Sequence, residues 1–130
     1  MTYILDTDWL IDYLHGREEA VQVLAQLIPA GLAISVITYA EFYEGIVLSP
    51  GRAEHVETLE DFLSGVALLA VDRGVARIFG ERRSQLRTKG LLIDNFDLLI
   101  AATALRFDLT LVTRNVSDFR RVEGLQLYKA

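Results

Sequence analysis

Carboxylates at four places along the chain stand where chemistry could be done. Asp6 directly follows the apolar run Tyr3-Ile4-Leu5, with Asp8 two residues on. Glu41 sits in ITYAEFYEGI, Asp97 in FDLLIAATAL with Asp94 three residues before it, and Asp118 near the end of TLVTRNVSDF. Each has an ordinary structural reading. Asp8 would cap a helix, and Thr38-Tyr39-Ala40-Glu41 fits a capping box in which Glu41 bonds back to the backbone of Thr38. Asp94 and Asp97 sit where a helix N-terminus favours negative charge. Asp6 and Asp97 resist that reading. One ends a buried strand and the other has almost only apolar neighbours, so each needs a cation or strong hydrogen bonds to stay ionised. Several carboxylates at one spot repel unless a divalent ion neutralises them. All-oxygen ligands suit Mg²⁺ or Mn²⁺, which can activate water against a phosphodiester.

Other catalytic apparatus is missing. The chain has no cysteine, hence no thiol nucleophile, disulfide or thiolate zinc site. It has no HExxH, GxSxG or Walker loop. His15 and His55 lie in polar helical surroundings and read as surface residues. Asp6-Thr7-Asp8 after a strand also suggests the DxD of haloacid-dehalogenase-type phosphatases, but Trp9 stands where glycine is usual. A response-regulator receiver would use Asp72, Thr113 and Lys129, yet it needs a helix after the last strand. Neither explains both Glu41 and Asp97.

The elements that must position these acids follow from apolar periodicity. Strands are expected at Tyr3–Leu5, Leu32–Val36, Val66–Val71, Leu109–Thr113 and, briefly, Leu125–Tyr128. Helices are expected from Asp8 to Gly16, over 18–28, from Thr38 to about Ser49, over 52–63, from Arg73 to Gly90 and over Phe96–Phe107. Strands alternating with helices imply an α/β fold: a central parallel sheet of four to five strands with helices on both faces. Sites in such sheets form beyond the carboxyl ends of the strands, the edge that collects Asp6, Glu41, Asp72, Thr113, Asn115 and Asp118. With 130 residues, two prolines and no linker-like stretch, one domain over 1–130 is expected. No apolar run is long enough for a membrane span, and the N-terminus does not read as a signal peptide; the absence of cysteine fits a cytoplasmic protein.

Charge divides the chain. Residues 1–72 carry twelve acidic side chains against two basic ones, residues 73–130 six against eleven. The bases cluster at Arg73, Arg77, Arg82, Arg83, Arg87 and Lys89, then at Arg114, Arg120 and Arg121. A solvated basic helix explains the first cluster; a polyanion-binding face is the sharper alternative.

Four segments together resemble the PIN-domain ribonucleases, specifically the VapC-type toxins of toxin–antitoxin pairs, over nearly the whole chain. They are YILDTDWLIDYL, ITYAEFYEGI, IDNFDLLIAATAL, and TLVTRNVSDF followed by VEGLQL. The resemblance implies a Mg²⁺-dependent endoribonuclease (Mn²⁺ as possible substitute) that hydrolyses RNA by metal-activated water, forms a homodimer and is inhibited by a VapB-like antitoxin. Carried over, Asp6, Glu41 and Asp97 bind metal and are catalytic, and Asp118 is a further ligand. Thr113, Asn115 and Asp8 support them. Many relatives have an acid at the position of Asn115, which leaves the fourth ligand open between Asn115 and Asp118. It also keeps a second reading alive, a PIN-fold RNA- or protein-binding module with weak or no turnover. Arg82, Arg83 and Arg114 are the candidate RNA contacts, and Trp9 and Tyr43 the candidate walls of an antitoxin groove.

Overall fold

Period-two burial builds the sheet. In the computed structural model, which describes residues 1–129, four strands lie parallel in the order β3-β2-β1-β4. They are β1 (Tyr3–Leu5), β2 (Leu32–Ser35), β3 (Ala67–Leu69) and β4 (Thr110–Val112). Adjacent residues of a strand point to opposite faces. Ile4, Ala33 and Leu111 enter one core, and Leu5, Ile34 and Val112 the other. Both faces are buried, so the strands show no polar alternation.

Helices cover both faces. The second core receives α1 (Thr7–Leu14), α2 (Glu18–Leu27), α3 (Val36–Val47) and α4 (Arg52–Leu63), through Leu10, Leu24, Ile46 and Leu59. The first receives α5 (Arg73–Lys89) and α6 (Asn95–Arg106), through Leu86, Leu98, Ile100 and Ala101. The fully buried alanines 101, 102 and 104 add little bulk to α6 and let it lie close to its neighbours.

Four expectations are corrected. Helix α1 is capped by Asp6, whose Oδ1 accepts from Thr7 N, and Asp8 lies inside its first turn. Helix α3 starts at Val36 because Ser35 caps it, Oγ accepting from Ile37 N at 3.0 Å; Thr38 is buried within the helix. Strand β3 is shorter than Val66–Val71 and lies at the sheet edge, where Leu68 is 45% exposed. The expected last strand is a single bridge, Leu111 to Leu127. A short helix α7 (Val116–Phe119), not anticipated from the sequence, buries Phe119 completely.

Gly31 sets the pairing of β1 with β2. Its carbonyl accepts from Thr2 N and Tyr3 N at 2.9 and 3.0 Å, at a φ of +99° that disfavours L side chains. A Cβ there would stand 2.7 Å from Met1 Cα. Gly31→Ala is expected to lower the unfolding free energy in urea by about 1–3 kcal/mol. A change near zero would show that this backbone approach is not a constraint.

Candidate active site

The strand order reverses between β1 and β4, and the candidate site opens at that switch point. Asp6, the residue after β1, is 7% exposed, and both its oxygens are bonded. Oδ1 accepts from Thr7 N at 2.9 Å, and Oδ2 accepts from Thr113 Oγ1, beyond β4, at 2.7 Å. Thr113 in turn accepts from Asn115 N at 3.0 Å. One buried hydroxyl thus ties the first acid to the loop carrying Asn115.

Glu41 arrives on α3. It lies too far into the helix to cap it, so the capping-box reading is corrected; Oε1 accepts instead from Thr7 Oγ1 at 2.7 Å. Thr38 Oγ1 stands 3.3 Å from the same hydroxyl. Thr7 and Thr38 are positioning residues that sequence reasoning missed. Only the placement of Thr7 between two aspartates hinted at its role. Asp97 enters from the first turn of α6, behind the cap Asp94, whose Oδ2 accepts from Phe96 N and Asp97 N at 3.0 and 3.3 Å.

Asp6, Glu41, Asp97 and Asn115 line one open cavity of about 460 Å³, together with Asp8 and Glu44. Its lining holds five carboxylates and no basic side chain. Burial raises the pKa of all three expected ligands. For Asp6 the bonds from Thr113 and Thr7 pull the other way. For Glu41 the Thr7 bond opposes burial, while Asp6, Asp94 and Asp8 add to it. Asp97 has no such relief: burial, then Asp6, Asp94, Glu41 and Asp118, push it to about 7. The donor chemistry of carboxylates, hydroxyls and a side-chain amide fits a hard divalent cation. Among the described residues, no three acidic or histidine side chains stand close enough to close on one ion as they are; they line a cavity instead of meeting at a point.

Other expected site residues fall elsewhere. Asp118 is not a cavity residue: its Oδ2 accepts from Asn115 Nδ2 at 3.0 Å, behind the site. Arg114 is tied to Asp12, stands 3.8 Å from Glu19, and lies 4.2 Å over the Trp9 ring. Arg82 is half-buried, its Nε without a partner, while Arg83 Nε donates to Asn95 Oδ1 at 2.9 Å. None of the three arginines lines the cavity. Trp9, 3% exposed, belongs to the core, because the apolar face of α1 must cover the sheet. Tyr43 stacks on Tyr39 with ring centroids 5.9 Å apart. The apolar groove beside the acids, about 290 Å³, is walled instead by Ile11, Leu14, Phe42 and Ile46, and shares Glu41 with the acidic cavity.

The PIN domain family model matches residues 3–125. Ribonuclease VapC2 of Rickettsia felis is 33% identical over 129 residues, covering 98% of this chain and 96% of that protein. Ribonuclease VapC19 of Mycobacterium tuberculosis is 35% identical over 125 residues, covering 95% and 96%. Among solved structures, the crystal structure of VapBC2 from Rickettsia felis bound to a promoter DNA fragment matches with a TM-score of 0.90 at 32% identity, over 98% of each chain.

Asp97 makes the cavity pH-sensitive. Without a cation the folded protein holds its proton up to about 7, whereas the ordinary value is 3.8. The stability this group contributes is therefore full below about pH 4 and lost as pH rises through about 7. With chelator present, Asp97→Asn is expected to raise Tm at about pH 8 and to change it little at about pH 4. A Tm difference independent of pH would show that the acids do not interact as the cavity implies.

Proposed function

The chain belongs to the PIN domain family, and from that premise we propose that it is a Mg²⁺-dependent endoribonuclease, the toxin of a VapBC-type toxin–antitoxin pair. The observation that carries this reading is the cavity with five carboxylates and no basic lining residue. Asp6, Glu41 and Asp97 would hold the cation, with Asn115 beside them; Mn²⁺ would substitute. When bound, the cation supplies an activated water and offsets charge building on the scissile phosphate.

The chain's own residues do the rest. Thr113 and Thr7 fix Asp6 and Glu41, so neither acid needs to reorganise when the site fills. Asp97, whose pKa is raised in the cation-free cavity, would give up its proton as a cation binds, so cation uptake would strengthen with pH. Phe96, 52% exposed on the cavity rim, offers a ring on which an unpaired base would stack. Arg83, next to that rim through Asn95, is the remaining candidate among the proposed phosphate contacts.

The solved relatives include VapBC complexes, which supports a VapB-like antitoxin as partner. Its segment would seat apolar side chains on Phe42 and Ile46, and a basic side chain on it would meet the acids beyond Glu41. A homodimer acting in the cytoplasm completes the proposal; no helix among the described residues is long and apolar enough to cross a membrane.

Asp97→Asn is expected to reduce metal-dependent RNA cleavage by on the order of 10² or more while leaving the circular dichroism spectrum unchanged. Cleavage by the folded variant at the wild-type rate would overturn the role of Asp97, wild-type cleavage persisting in excess chelator would overturn the metal dependence, and a wild-type chain that binds RNA without cleaving it would leave a binding module. Phe42→Ala is expected to weaken antitoxin binding by about 2 kcal/mol or more, and Tyr43→Ala by much less. The reverse order in a binding titration would move the groove to the tyrosines.

A further inference from the structure

Behind Asn115 lies a relay that the proposed chemistry does not use. Asn115 Nδ2 donates to Asp118 Oδ2 at 3.0 Å. The other oxygen of Asp118 stands 3.8 Å from Arg121 Nη2, three residues on. Arg121 Nη1 reaches the carbonyl oxygens of Leu91 and Leu92 at 3.5 and 3.4 Å. Those two residues precede Asp94 and Asp97, the cap and the acid of α6. One guanidinium therefore touches both limbs of the site, the loop entering α6 and the turn around α7.

Among the described residues, Arg121–Asp118 is also the one ion pair that involves an acid acting electrostatically on Asp97. The other ion pairs use Asp12, Glu19 and Asp72, which lie outside the cavity lining. A carboxylate held by an amide N–H on one oxygen and a cation on the other is a fixed acceptor. Its acceptor bond decides which way round the Asn115 amide sits. With Nδ2 engaged behind, Oδ1 is the amide atom left for the cavity that Asn115 lines, and no described donor reaches it.

We propose that Arg121 is a positioning residue: acting through Asp118, it fixes the Asn115 amide so that Oδ1 faces the acidic cavity as a neutral oxygen donor. The inference rests on the cation-binding reading of the cavity and deepens it. Asp118 is thereby withheld from the cavity, and the added donor brings no further negative charge to a lining that already holds five carboxylates. This is the arrangement of outer groups that orient a ligand from behind.

The test is a double-mutant cycle read by calorimetric titration of the full chain with Mn²⁺ alone. Asn115→Ala and Asp118→Ala are each expected to weaken Mn²⁺ binding about tenfold, and Arg121→Gln by a factor of about three to ten. In the Asp118→Ala background, Arg121→Gln should have no further effect, because its route to the site is gone. Arg121→Lys, which keeps a cation beside Asp118, should stay within about twofold of the wild type and also covers the case in which Arg121→Gln fails to fold. Additive losses, or a loss on Asp118→Ala with none on Asn115→Ala, would overturn the relay while leaving the cavity's cation role intact. A wild-type chain that takes up no Mn²⁺ would overturn both.

Discussion

The structure turns on a buried carboxylate held in place by two threonine contacts. Asp6 follows β1, caps α1 through Thr7 N, and accepts from Thr113 across the gap to the loop after β4. A carboxylate this buried would otherwise be driven to its neutral form. These bonds oppose that push at the one place where the strand order reverses, although burial still leaves the Asp6 pKa raised. Thr7 then extends the same device to Glu41. The first and second acids are thus set by short hydrogen bonds among groups that are themselves buried or half-buried. Removing Thr113 or Thr7 would strand a buried acceptor as well as loosen the site.

The third acid is treated differently. Asp97 has the dipole of α6 and the cap Asp94 behind it, but Asp94 is itself an acid that raises Asp97's pKa. No basic group among the described residues relieves it. Arg114 follows Thr113 directly, yet it is drawn away by Asp12 and rests on the Trp9 ring. Arg83 is occupied by Asn95. Arginines near the site are thus bonded to other parts of the fold, and the cavity keeps its uncompensated negative charge. Local stability is reduced so that a site can be kept, a pattern common where function conflicts with packing.

Much of this was legible in the sequence. Apolar runs and their breakers marked the parallel strands and every long helix, since both depend on local periodicity. The resemblance brought Asp6, Glu41 and Asp97 together, and the structure lines one cavity with them. Illegible features depend on contacts between distant segments. The capping box at Thr38–Glu41 was a sound local pattern, defeated because Ser35 offers an earlier cap at the strand end. Thr7 carried no expected role, and only the fold brings α3 to it so that its hydroxyl meets Glu41. Trp9 read as a groove wall because aromatic residues with a polar edge often line binding surfaces, but its indole is buried in the core that covers the sheet. The first arginine cluster read as a solvated basic helix, with a polyanion-binding face as the alternative; the structure ties Arg83 to Asn95, Arg114 to Asp12 and Arg121 to Asp118, which periodicity could not show.

The charge imbalance between the two halves has a consequence for inhibition as well as for catalysis. In the proposed function, a cation and an antitoxin's basic side chain meet the same group of acids, and each would relieve the repulsion centred on Asp97. Any ligand that binds only the folded state adds RT ln(1 + [L]/Kd) to stability, about 2.7 kcal/mol at a hundredfold excess over Kd. Cation and antitoxin would then both stabilise this fold, and each would diminish what the other can add, because the carboxylates can be neutralised only once. The apolar groove distinguishes them. A small ion gains nothing from Phe42 and Ile46, whereas a segment seated there shares Glu41 with the acidic cavity and brings its basic side chain at high local concentration. In that proposal, competition for charge, strengthened by an adjoining apolar contact, would suffice for inhibition without any change in the backbone that holds Asp6.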